Sequence, residues 1–302
     1  MVSKLSAFLI GTVFFPTLLL QPVDAEEFIL EDAERFAQLF SQADSLDATL
    51  LEQKYLELGT KGITIFTPYR IQSSQNLAQA IAESSIDYKK GIQLCLPAAK
   101  QIRADASQVL RQVQTLLNQT NRAPTYLLFG ANNSGGTANS EGLSLGLEVL
   151  CRFAETREEA EQVILGFVAH EIVHVYQARI PKAETVKPTL LRQALTEGFA
   201  DLVANIVLGK VTNSEVERHN YGSQHEAQLW SEFKLVMNDV NYKPWMYGPG
   251  NNGRPNDLGY WLGKKITEAY YHNAKDKQKA LQDLLYLEDP QSILLKSGYN
   301  PI

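Results

Sequence analysis

His170-Glu171-Ile172-Val173-His174 stands inside a run whose apolar residues, Val163, Ile164, Phe167 and Val168, recur at helical spacing from a start near Thr156 and Arg157. Residues four apart lie on the same face of a helix, so both imidazoles can reach one metal ion while Glu171 flanks them. The stretch is therefore expected to be a long helix with a metal site on one face. With five histidines in 302 residues, such a pentapeptide rarely arises by chance.

Two imidazoles leave a catalytic zinc site short of a ligand, because such sites use three protein donors and keep a fourth position for water. Leu195-Thr196-Glu197-Gly198-Phe199-Ala200-Asp201 supplies a candidate on what reads as the next long helix, and Pro181 and Pro188 punctuate the gap between the two. The expected ligands for Zn2+ are thus His170, His174 and Glu197. Asp201 lies one helical turn past Glu197 and could accept a hydrogen bond from the non-ligating nitrogen of a zinc-bound histidine. Glu171 would serve as general base toward a zinc-activated water.

H-E-x-x-H followed by E-x-x-x-D on a second helix resembles the gluzincin metallopeptidases, of which thermolysin is the best-known fold. The resemblance implies zinc on His170, His174 and Glu197, Glu171 as the base, and Asp201 directed at His170. This chain has Thr196 where thermolysin-like enzymes have an asparagine. More closely, the sequence is similar to a group of bacterial predicted zinc-dependent proteases, through Glu197-Gly198, Gly259-Tyr260 and Gly263. The similarity runs over about residues 125–299, is strongest at 168–201, and leaves the helices before 121 outside. It implies a peptide or protein substrate.

The N-terminus has the order of an export signal: Lys4, an apolar run from Leu5 to Leu20, then Val23-Asp24-Ala25. Cleavage near Ala25 would give an exported, periplasmic or secreted chain without a stable membrane anchor. Cys95 and Cys151 are the two cysteines. In an oxidising compartment they can pair, and as two buried free thiols they would serve equally well as packing. A formal net charge of −6 gives no broad basic surface, which argues against nucleic acid as a partner.

The expected organisation is a signal peptide at 1–25, a helical N-terminal region at 26–122, and a zincin-like catalytic region with C-terminal helices at 123–302. Helical spacing is visible at Ala33, Phe36, Leu39 and Phe40 and again at Val109, Val113, Leu116 and Leu117. Tyr55, Tyr69 and Tyr88 read as packing residues. Past Pro124, residues 125–130 read as a strand. Leu143, Leu145, Leu147 and Val149, alternating with Ser144, Gly146 and Glu148, read as a second. Asn132-Asn133-Ser134-Gly135-Gly136 between them reads as a loop. The expected fold class is α+β, mostly helical, with a small sheet packed on the motif helix in a gluzincin-like manner. One strand, 143–150 or 125–130, would border the metal and pair with an extended peptide.

A donor to the developing oxyanion is also expected. Tyr260 is the first choice, after a loop rich in Gly, Pro and Asn; Tyr247, Arg254, His219 and His225 are the alternatives, with both histidines and His272 expected to be solvent-exposed polar residues. Two further functions fit the same residues: a zinc hydrolase of a non-peptide amide or ester, and a catalytically idle zincin fold that binds a partner.

Overall fold

The computed structural model describes residues 27–43, 45–181, 187–248 and 253–302; the expected export signal lies outside them. Thr156 starts the motif helix with a capping box: its hydroxyl accepts from the Glu159 amide at 3.2 Å, and the Glu159 carboxylate accepts from the Thr156 amide at 3.1 Å. We label the elements that build the site α1 (Glu31–Gln42), α2 (Arg103–Leu116), α3 (Arg157–Ala178, the motif helix), α4 (Leu190–Leu208) and α5 (Leu258–Asn273). The strands are β1 (Phe28–Ile29), β2 (Thr125–Leu128), β3 (Gly136–Asn139) and β4 (Gly142–Gly146).

α3 and α4 bury residues around most of their circumference. A helix apolar on nearly all sides must be enclosed, and α3 is: it packs against α2, α4 and β3. α4 is capped by Thr189 and ends at Gly209, whose φ of 68° gives the left-handed turn that glycine accepts without strain. α4 and α5 cross where Gly198 meets the backbone of Gly263 and Lys264, and where Gly263 meets the Ala194 carbonyl. No helix among the described residues is long and apolar enough to cross a membrane.

The sheet has the order β1-β2-β4-β3, with β2 parallel to both β1 and β4, and β3 antiparallel to β4. The architecture is mostly helical α+β, as expected. The assignment of the strands needs correction. β4 ends at Gly146, and Leu147–Leu150 is a helical turn. Ser144 and Glu148, read as the polar face of an alternating strand, are both fully buried. A strand covered on both faces carries no reliable alternation. The Ser144 hydroxyl is satisfied by the Gly62 carbonyl at 2.9 Å, and Glu148 anchors the following loop by accepting from the Gly130 and Asn132 amides at 3.0 and 3.3 Å. Burial pushes the Glu148 carboxyl up to about 7.

β2 and β4 also each have a strand on either side, so neither can be the edge that borders the metal helix. That edge is β3, which begins within the segment read as a loop and packs against α3.

The N-terminal helices share one continuous core with the rest. Phe36 of α1 stacks on Phe129 with ring centroids 4.6 Å apart, and Tyr55 and Tyr88 bind the Phe129 and Gly130 carbonyls at 2.8 and 2.7 Å. Cys95 and Cys151 form a disulfide across 56 residues of chain, joining the N-terminal helices to the turn just before α3. Chain entropy alone gives a bridge of that span about 4 kcal/mol, and native bridges commonly contribute about 2–4 kcal/mol. A Cys95→Ser/Cys151→Ser double variant is expected to lose about that much stability in urea unfolding. An unchanged midpoint would show that the core holds this junction without the bridge.

Candidate metal centre

α3 and α4 run side by side and bring His170, His174 and Glu197 to one point. The two Nε2 atoms are 3.2 Å apart, and Glu197 Oε2 lies 3.3 Å from His170 Nε2 and 3.1 Å from His174 Nε2. The outer nitrogens are already occupied. His170 Nδ1 meets Asp201 Oδ1 at 2.8 Å, and His174 Nδ1 meets Gln177 Oε1 at 2.7 Å. The amide of Gln177 is oriented by its Nε2, which donates to the Thr196 carbonyl at 3.2 Å. Its Oε1 therefore faces His174, and His174 Nδ1 must be the donor.

With both Nδ1 atoms donating outward, two imidazole lone pairs and a carboxylate oxygen converge at 3.1–3.3 Å. That is a repulsive arrangement unless a proton or a metal ion sits among them. Donors about 2.0–2.1 Å from a tetrahedral zinc lie about 3.3 Å from one another, so the triangle has the size and the chemistry for zinc. The electrostatics agree. Burial opposes charge on His170, but the carboxylates of Asp201 and Glu197 outweigh it and hold its metal-free imidazole well above the ordinary range. His174 is raised in the same way, with Glu197 overcoming burial. Glu197 is held well below the usual carboxylate range, the histidines overcoming its burial.

Two contacts further out set this geometry. Arg218 donates to Asp201 Oδ2 at 2.8 Å, and against the effect of burial it and His170 bring the Asp201 carboxyl down to about 2. Tyr247 donates its hydroxyl to Glu197 Oε1 at 2.8 Å. That leaves Oε2 as the oxygen facing the histidines.

Glu171 stands where two cavities meet. One, of about 290 Å³, is lined by His170, Arg218 and Asp257; the other, of about 470 Å³, by His174, Glu197, Tyr247 and β3; Phe167, Glu171 and Tyr260 belong to both. Gly136 of β3 lies directly against the Glu171 carboxyl, where a Cβ would come within 2.9 Å of Cδ. Tyr260 lies parallel to the His170 ring, with centroids 6.2 Å apart, under the Arg218 guanidinium. Burial and the nearby Glu197 push the phenols of Tyr260 and Tyr247 up, so both remain protonated donors.

The other sequence candidates lie elsewhere. Arg254 is paired with Glu232 at 2.6 and 2.9 Å, and His225 is stacked on Tyr221 and bonded to its carbonyl. His219 and His225 are half-buried and line neither cavity, and His272 is exposed. Gln177, Arg218 and Gly136 were not singled out from the sequence. Only Gln177 carried a signal, since it follows His174 by three residues on one helix face. Replacing it by leucine is expected to weaken zinc binding about 10–100-fold. Glutamate at the same position should restore most of the affinity, because it still accepts from His174; chelator competition measures both, and equal affinities for all three proteins would remove Gln177 from this role.

No curated protein and no solved structure shows a significant match to the chain. Residues 102–288 match the family described as predicted Zn-dependent protease (DUF2268). The match starts earlier than the sequence resemblance implied, taking in α2, and it stops short of the last helix. α2, β2–β4, α3, α4 and α5, with all three candidate ligands, fall inside it. The chain belongs to this family of predicted zinc-dependent proteases.

Proposed function

We propose that the protein is a zinc-dependent peptidase in which His170, His174 and Glu197 hold the metal and Glu171 is the general base. The observation that carries this reading is the triangle of outward-anchored donors, with Glu171 beside it at the junction of the two cavities. When bound, zinc would act as a Lewis acid and lower the pKa of a water toward about 7. Glu171 takes the proton from the attacking water and later delivers it to the departing amine. Tyr260, a protonated phenol lining both cavities, supplies a hydrogen bond toward the carbonyl oxygen as charge builds there. Asp201 and Gln177 hold the imidazoles in the tautomer that presents Nε2.

A peptide substrate is favoured over a small amide or ester by β3, whose outer edge pairs with no other strand among the described residues and which runs along the larger cavity. An extended peptide can add to such an edge through main-chain hydrogen bonds. The Cys95–Cys151 bridge supports the proposal that the chain is exported, since such bridges persist in oxidising compartments. The test is the zinc content of the purified protein together with cleavage of a mixed peptide pool followed by mass spectrometry. We expect one zinc per chain, with cleavage lost on chelation and regained on adding zinc. Cleavage indifferent to chelation, or a chain that takes up no zinc, would overturn the proposal.

A further inference from the structure

We propose that Arg70 makes the cleft selective for peptides that present a carboxylate beside the scissile bond. The inference rests on the peptidase reading above and adds a substrate class to it. Arg70 lies outside the segment that matches the family, so family membership does not assign it a role.

The backbone delivers Arg70 to the cleft by an unusual turn. The helix Lys61–Phe66 runs into the wider π-helical turn Thr67–Ile71, closed by the Gln72 amide donating to the Thr67 carbonyl five residues back at 2.7 Å. Gln72 then stops the helix with a φ of 66°. Arg70 is held at both ends. Its carbonyl accepts from Asn133 Nδ2 at 2.9 Å, and its Nε donates to Thr137 Oγ1 of β3 at 3.0 Å. The Thr137 hydroxyl spends its own proton on the Gly136 carbonyl at 2.9 Å, so it is fixed as an acceptor for Arg70.

The guanidinium is thereby pinned by one edge against the strand that borders the metal site. It lines the same cavity as Glu171, His174 and Glu197. Among the half-buried arginines, Arg35, Arg218 and Arg254 are each paired with a carboxylate, Arg179 and Arg192 bind main-chain carbonyls, and Arg103 lines neither cavity of the site; Arg70 lines the cleft with its charge uncompensated. No described residue offers Arg70 a carboxylate, or gives its two Nη atoms an acceptor. Five N–H donors on a planar fork suit a carboxylate, and Thr137 uses one of them. With zinc on Glu197 the metal's charge offsets Glu171 and Glu197, and Arg70 adds a second fixed cation on the β3 side of the cavity, where a substrate carboxylate can meet it.

The carboxylate could come from an Asp or Glu side chain or from the peptide's own C-terminus. The experiment separates these with the zinc-loaded full chain. One set of peptides is C-terminally amidated and carries Asp, Glu, Asn or Gln at each position around the cut; the other has a free or an amidated terminus on a neutral sequence. We expect kcat/KM for the carboxylate-bearing member to exceed that of its amide by about 10–100-fold, the worth of a charge-assisted two-pronged contact. In Arg70→Gln that ratio should fall to near one, and in Arg70→Lys, which keeps the charge but not the fork, it should lie between. Binding of fluorescent acidic and neutral peptides to zinc-loaded Glu171→Gln, with and without Arg70→Gln, gives a readout that needs no turnover. Cleavage with no carboxylate preference, or a ratio that Arg70→Gln leaves intact, overturns the Arg70 inference and leaves the peptidase reading standing. Arg70-dependent binding of acidic peptides with no cleavage by the unmodified protein overturns the peptidase reading and supports the Arg70 contact.

Discussion

Replacing Glu171 by glutamine is expected to leave one zinc bound per chain while cutting peptide hydrolysis by about 10²–10⁴-fold, the usual worth of a positioned general base. The two effects separate because Glu171 touches none of the three donors, each of which keeps its anchor on Asp201, Gln177 or Tyr247. Glutamine also keeps the shape that Gly136 accommodates, so the cleft should not rearrange. His174→Ala supplies the contrast: it removes a donor, and zinc and activity should disappear together. Metal analysis beside single-turnover kinetics checks both proteins. If Glu171→Gln hydrolyses peptides at the unmodified rate, another group moves the proton.

Replacing Gly263 by alanine is expected to destabilise the fold by about 3 kcal/mol or more, at or beyond the upper end of ordinary overpacking. The added methyl would sit on the Ala194 carbonyl, and one added at Gly198 would sit on the Gly263–Lys264 peptide. Both obstacles are backbone, so no rotamer change relieves them, and α4 and α5 must move apart. Gly198 is the residue after the proposed ligand Glu197. A shift of α4 should therefore also loosen the donor triangle, and zinc affinity should fall along with the unfolding midpoint. Gly209→Ala is the control, since its methyl meets no atom within 4 Å and costs only the strain of φ 68°. A Gly263→Ala protein with an unaltered urea midpoint would show that the crossing has slack.

The parts of this arrangement that were legible in the sequence are those in which chemistry and helical period coincide. His170, Glu171 and His174 share a face because the helix repeats every 3.6 residues, and Glu197 and Asp201 are related by the same rule. The edge strand was not legible. Gly136–Asn139 is a four-residue strand opening on glycine after an Asn-Ser-Gly run, and such composition signals a turn unless a neighbouring strand recruits it. Glu148 misled for the opposite reason: its apparent alternation with leucines suggested a wet face, whereas it is a fully buried carboxyl that organises the loop before β3. Arg70 and Arg218 reach the site from separate elements, 67 and 17 residues in sequence from Thr137 and Asp201, the partners that fix them. No local spacing encodes such a meeting.

The Cys95–Cys151 bond closes a covalent ring around the segment that contains β2, β3 and β4. If the chain is exported as proposed, it works among proteases, and Asn133, exposed in the loop before β3, is the kind of place where a chain is nicked. A single cut there would leave two fragments tethered through sulfur, with β3 still laid along α3 and the cleft wall in place. The ring thus makes the proposed substrate-binding edge tolerant of the chemistry that the protein is proposed to perform on others.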